Sequence, residues 1–159
     1  DATAKLVAEN DVAISTQLTI YRILGNMDGL SDTNREKAAL VLEGQDKLIS
    51  LIKKYRIRTG FSTDFIMGQY PMLADEFKYR SEYWTPAEVL AQATSQAADI
   101  IRMSGKLNRY GNFGEIREGW VADLLLINGE PLQDLSVLSN PDTGLALIMQ
   151  SGKIVKSAL

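Results

Sequence analysis

The 159-residue chain contains no histidine and no cysteine. Without cysteine there is no disulfide, no thiol nucleophile and no thiolate metal ligand, and the redox compartment stays open. Without histidine, the chain by itself cannot build a serine triad, an imidazole acid–base pair or a histidine metal site. Basic charge is not in excess: 17 Lys and Arg stand against 20 Asp and Glu, for a net charge of −3 and a pI near 5.0. No electrostatic footprint for nucleic acid follows from that balance. No apolar run reaches membrane-spanning length, and no signal-peptide pattern opens the chain. What remains for chemistry is carboxylate, lysine, tyrosine and hydroxyl, or groups supplied from elsewhere. With 45% hydrophobic and 23% charged residues, the composition is that of a soluble globular protein, cytoplasmic or periplasmic. Asp1–Asn10 reads as a helix already under way without an initiating methionine, so a processed product or a partial sequence is expected.

Several elements can be read in order. Residues 1–9 form a short helix that Asn10-Asp11 breaks. Val12–Ile20, rich in β-branched residues, reads as a strand with a polar end around Ser15-Thr16-Gln17. Gly25–Gly29 reads as a loop. Thr33-Asn34-Arg35-Glu36 fits a capping box. The helix after it places Ala38, Val41, Leu42, Gln45, Leu48, Ile49 and Ile52 on one stripe and Lys53 and Lys54 in its last turn. Ile57–Phe61 is a second strand. Strand, long helix and strand make one βαβ unit with parallel strands. Residues 65–84 read as a loop and a short helix. Thr85-Pro86-Ala87-Glu88 opens another helix with an N-cap, a first-turn proline and a capping-box glutamate. Beyond about residue 105 the pattern changes to short strands, Val121–Ile127, Leu145–Gln150 and Lys153–Ser157, with Ser151-Gly152 as a two-residue hairpin loop. A boundary near residue 105 therefore separates an α/β part, 1–105, from a β part, 106–159.

Asp64 is the leading candidate for chemistry. It follows the second strand at its carboxyl end, where ligands collect in parallel α/β folds, and Ser62 and Thr63 stand ready to orient it. The competing reading is a turn or helix cap. Gln17, with Thr16, ends the earlier strand and faces either the same site or a solvated loop. Asp75-Glu76 reads as a paired-carboxylate system or, more simply, as a solvated loop face. Asp123 most simply bonds turn amides. The aromatics from Tyr70 to Trp84 suit a substrate pocket or a core equally well.

Gly114-Glu115-Ile116-Arg117-Glu118-Gly119-Trp120-Val121-Ala122-Asp123-Leu124 resembles the Gly-x-Ile-x-x-Gly-x-x-Ala-Asp-Leu signature of metal-dependent amidohydrolases, in the group similar to imidazolonepropionase and Xaa-Pro dipeptidase. Pro131–Asp134, Ile148–Val155 and Trp84–Thr94 extend the resemblance. Thr59–Asp64 is similar to the family's Gly-x-Gly-Thr-Asp, with Ser62 where glycine is usual. The resemblance implies an α/β fold comprising the C-terminal portion of a (β/α)₈ barrel, its last two strands and their helices. Residues 106–159 would then be the C-terminal strands of a small β-sandwich. It implies hydrolysis of an amide, peptide or cyclic C–N bond with Asp64 as metal ligand and proton shuttle; Gln17, from its place at the end of the earlier strand, is the candidate substrate-binding residue. The implied cofactor is a divalent metal, zinc foremost, held by the complete protein. The family's His-x-His and later histidines have no counterpart here, and one carboxylate cannot hold a catalytic zinc, which takes about three protein ligands. The chain alone is expected to be inactive, with the N-terminal portion of the same enzyme as its partner. Two alternatives stand beside this: a non-catalytic binding or structural module, and a metal-free carboxylate enzyme pairing Asp64 with Asp75 or Glu76.

Two strands cut from a larger barrel expose unpaired edges that template association. The isolated 159 residues are therefore expected to self-associate or to require their complement. Sedimentation checks this, and a stable monodisperse monomer counts against it.

Overall fold

A parallel strand pair organises the first half of the chain. The computed structural model describes residues 1–24, 27–66 and 68–159. In it, β1 (Ile14–Thr16) and β2 (Thr59–Phe61) run parallel, with Ile14 opposite Thr59 and Thr16 opposite Phe61. Helix α1 (Ala2–Glu9) precedes β1, and the crossover is α3 (Asp32–Tyr55), so the expected βαβ unit is present. The Gly25–Gly29 loop falls partly outside the described residues.

Two boundaries differ from expectation. The strand foreseen over Val12–Ile20 stops at Thr16, and Thr19–Leu24 is instead helix α2. The β-branched Thr19 and Ile20 favour a strand by local preference, but both are buried in the helix because a carboxylate from elsewhere takes up the amides at its start. Tertiary contact overrides propensity there. Helix α3 begins at an earlier cap than the Thr33 box: Ser31 Oγ accepts the amide of Asn34 at 3.4 Å. It ends on Arg56, a left-handed residue at φ 52° whose successor, Ile57, donates to the Ile52 carbonyl. Of the stripe on α3, Ala38, Gln45, Ile49 and Ile52 are buried, whereas Val41 and Leu48 are about 40% exposed (42% and 40%).

After β2 the chain makes a 3₁₀ turn (Tyr70–Met72) and α4 (Asp75–Arg80). The Thr85–Glu88 capping box is present with both reciprocal bonds and starts α5 (Pro86–Ala91). A π turn over Gln92–Gln96 joins α5 to α6 (Ala97–Arg102). Its i→i+5 spacing displaces the inward face: Ala98 is fully buried, while Ile101 is exposed.

The second half holds an antiparallel sheet in the order β3 (Leu124–Ile127), β4 (Leu145–Gln150), β5 (Lys153–Ser157). Ser151 and Gly152, at φ 49° and 78°, make the two-residue hairpin between β4 and β5. The Asp123 carboxylate accepts the Ser151 amide at 2.7 Å, so this aspartate does bond a turn amide. The apolar run Leu124–Ile127 reads locally as a strand covered on both faces. Among the described residues it is an edge strand paired only with β4, and Leu125 and Leu126 lie half exposed. One cluster of buried side chains joins the two halves: Leu18, Ile49, Ile52, Trp84 and Val89 pack with Leu135, Leu138 and Leu145. No described helix is long and apolar enough to cross a membrane.

Between β3 and β4 the chain folds back through a 3₁₀ turn (Leu135–Leu138) and the single turn α7 (Pro141–Gly144). Here Gly144 presses on the preceding turn: a Cβ added to it would sit 1.9 Å from the Val137 carbonyl oxygen. At Gly119, with φ +79°, an added Cβ meets nothing. Gly144→Ala is therefore expected to destabilise by roughly 3 kcal/mol, at the upper end of overpacking costs. Gly119→Ala carries only left-handed strain, about 1–2 kcal/mol. Urea denaturation of both variants checks the order, and equal losses would contradict it.

Candidate active site

Because β1 and β2 are parallel, their carboxyl ends lie along the same edge, and both predicted site residues are found there. Gln17 follows the last paired residue of β1, and Asp64 lies three positions beyond the end of β2. Asp64 has a left-handed backbone, φ 55°, and an exposed side chain. A non-glycine residue with that backbone is uncommon, and aspartate is among the residues that tolerate it. Among the described residues its carboxylate has no hydrogen-bond or ion-pair partner, and Ser62 and Thr63 do not orient it. Gln17 is half-buried and lines a cavity of about 270 Å³ between β1 and α3, together with Ser15, Tyr21, Gln45 and Leu48. Gln45 is pinned there: its amide donates to the Tyr83 hydroxyl at 3.0 Å, Tyr83 donates to Asp46, and the Gln45 Oε1 atom is buried without a partner among the described residues.

A larger cleft, about 750 Å³, lies elsewhere. Leu73, Phe77 and Leu90 face Leu124, Leu125 and Leu145 across it, and Asp64 does not line it. Its lining is mostly apolar, the kind of surface that packing fills.

Behind the strand ends lies an ion pair whose glutamate, Glu76, reads from sequence as part of a paired-carboxylate system or, more simply, a solvated loop face. Glu76 and Arg80, one turn apart on α4, have fully buried side chains and meet at 2.8 Å. Glu76 Oε2 accepts the Leu18 amide at 3.1 Å, the Thr19 amide at 2.9 Å and the Thr19 hydroxyl at 2.8 Å. Arg80 Nη1 donates to Gln92 Oε1 at 2.6 Å. Its Nη2 donates to the Thr16 carbonyl, to Thr16 Oγ1 at 3.0 Å and to the Gly60 carbonyl at 3.2 Å. The guanidinium also lies over the Phe61 ring, 4.7 Å from its centroid. Burial pulls the Arg80 guanidinium below the ordinary arginine value, and the Glu76 charge opposes the shift. Glu76 is thus a structural carboxylate rather than a partner of Asp75, which is only half-buried. The available signal was a Glu–Arg pair at i,i+4 embedded among Phe77, Tyr79, Tyr83 and Trp84, an unusual density of aromatics for a solvated face.

Among the described residues no group of three or more His, Cys, Asp or Glu side chains could hold a metal ion. Asp64 stands alone. The profile of the amidohydrolase family matches residues 3–155. The chain belongs to that family. It is 31% identical to an amidohydrolase of known crystal structure, at a TM-score of 0.88, covering 100% of this chain and 38% of that one. A prolidase crystallised with N-methylphosphonate-L-proline is 28% identical at a TM-score of 0.86, covering 98% of this chain and 38% of the other. The ochratoxinase of Aspergillus niger is 24% identical over 145 residues, which is 91% of this chain and 29% of the relative. The chain thus has the mixed α/β fold of amidohydrolase structures along its whole length, and it spans about a third of the length of these relatives.

Near the site, Arg22 on α2 forms a two-pronged pair with Glu82 just beyond α4, at 2.8 and 2.7 Å, and stacks over Tyr79. The hydrogen bond from Arg22 holds the Glu82 carboxyl below the ordinary glutamate value of 4.5. A depressed folded-state value means stability that is whole above about 4.5 and drains as pH falls through the folded value. Glu82→Gln should therefore flatten the acid limb of a urea-midpoint-against-pH curve and leave its alkaline limb in place. The change is small, because the pair is partly exposed and screened. An unchanged acid limb would count against the pairing.

Proposed function

We propose that this chain is the C-terminal part of an amidohydrolase that cleaves an amide, peptide or cyclic C–N bond, with the Asp64 carboxylate as the base that carries the proton. The observation behind this reading is the place of Asp64: an exposed carboxylate, unpartnered among the described residues, just beyond the carboxyl end of a parallel strand in a chain of this family. A carboxylate so placed takes the proton of the attacking water and returns it to the departing nitrogen as the C–N bond breaks. Gln17, at the neighbouring strand end, is placed to contact substrate. The family relatives that support a peptide or amide substrate are a prolidase and an ochratoxinase.

In this reading β1 and β2 are the seventh and eighth strands of a (β/α)₈ barrel. Residues to about 105 belong to that barrel and the strands after them to a small β-sandwich. An N-terminal portion of the same enzyme, or a second copy of the chain, covers Val41, Leu48 and the open edges of β1 and β3. A divalent metal, zinc foremost, belongs to the complete protein. The residues of this chain do not fit one by themselves, since Asp64 is a lone carboxylate and catalytic zinc takes about three protein ligands. The chemistry of this chain is the proton transfer.

A second reading, a non-catalytic binding or structural module, is favoured by one observation, the complete lack of histidine. The decisive comparison uses the protein bearing its N-terminal portion. Asp64→Asn is expected to lower kcat for dipeptide or amide hydrolysis by about 10²–10⁴-fold, the range for a positioned acid–base group. Circular dichroism and melting temperature should stay at wild type. Retained hydrolysis removes Asp64 from the mechanism, and a wild-type protein inert towards an amide panel favours the module.

A further inference from the structure

Gln17 lies between two residues that the buried ion pair holds directly. The Thr16 carbonyl before it accepts from Arg80, and the Leu18 amide after it donates to Glu76. The sharp passage from β1 into α2 is therefore held from both sides by one pair of charges. The same arginine reaches the other strand, where it bonds the Gly60 carbonyl four residues before Asp64. The segment from Phe61 to Phe77 leaves β2, carries Asp64 and returns to α4. Its two ends are tied where the rings of Phe61 and Phe77 lie 4.6 Å apart and where Arg80 bonds the Gly60 carbonyl. We infer that Glu76 and Arg80 are positioning residues, a buried clamp that sets Gln17 and Asp64 relative to one another by fixing both strand ends. The inference rests on the reading of Asp64 as the working base.

The geometry of each group fits the task. A carboxylate with two oxygens takes two successive amides and a hydroxyl at the start of α2 while still accepting from Arg80. A guanidinium has five N–H groups in a fixed plane, so one side chain reaches Glu76, Gln92 and two strand carbonyls at once. Lysine keeps the charge and loses the fork. Its single ammonium cannot span the same four partners.

The test uses the protein with its N-terminal portion, assayed well below each variant's melting temperature and expressed per folded molecule. Arg80→Lys and Glu76→Gln are expected to lower kcat by about 10²-fold, the scale of a misplacement near 1 Å, and to raise KM as Gln17 shifts. A merely structural role lowers the melting temperature and leaves kcat per folded molecule unchanged, which would overturn the inference. Amide hydrogen exchange gives a reading that needs no variant to fold. In the wild type, the Leu18 and Thr19 amides should exchange as slowly as those of the α3 core, and exchange at the rate of exposed loops would also overturn it. Exchange further separates the two claims. If Asp64→Asn keeps its hydrolysis, the catalytic reading fails, and the clamp then stands or falls on whether Arg80→Lys speeds exchange at Leu18 and Thr19.

Discussion

A glutamate and an arginine, neither touching water, hold the strand ends on which the rest of this structure depends. Taking two charges out of water costs several kcal/mol per ion, and attraction between them repays that only when every remaining donor and acceptor is also satisfied. Here the condition is met. Glu76 receives two backbone amides and a hydroxyl besides Arg80, and Arg80 gives hydrogen bonds to a side-chain amide, a threonine and two main-chain carbonyls. Removing either ion would strand the other in an apolar shell of Phe61 and Trp84 rings. The pair therefore specifies one arrangement of the surrounding elements more than it adds net stability.

Those elements are otherwise weakly connected. β1 and β2 share only three paired positions, and α2 and α4 are six residues each, too short to hold themselves. The Arg22–Glu82 pair and the tilt of Phe61 against Phe77 add contacts around the clamp. Gln92 carries the network into the long helix at the first residue of its π turn, so the irregular turn and the ion pair meet at one residue. The antiparallel sheet depends on a different device, close backbone approach at Gly144 and a carboxylate from Asp123 on the hairpin tip.

Much of this was legible from local signals. The capping box at Thr85–Glu88, the α3 stripe, the Ser151-Gly152 hairpin and the parallel βαβ arrangement all follow from patterns within a few residues of one another. The place of Asp64 just past the carboxyl end of β2 was legible because it follows from strand order. The identities that escaped depend on contacts across 57 or more residues. Thr19 and Ile20 read as strand because nothing nearby reveals that Glu76 takes the amides at that point. Glu76 read as solvated because the two amides and the hydroxyl that take up its carboxylate come from Leu18 and Thr19, far away in sequence. The half-exposed Leu125 and Leu126 escaped for another reason: an apolar run reports that a strand can be covered, and this chain supplies only β4 as its neighbour.

The two-residue hairpin carries a consequence for the order of assembly. Strands β4 and β5 meet across Ser151-Gly152, so their pairing requires almost no loop closure and belongs to the microsecond events of a folding chain. Strands β1 and β2 must wait for all of α3 to be traversed, and the bond from Arg80 to Thr16 closes a separation of 64 residues. The contacts around Asp64 close the longer loops, so in a chain refolding from the fully unfolded state they are expected to form after the hairpin.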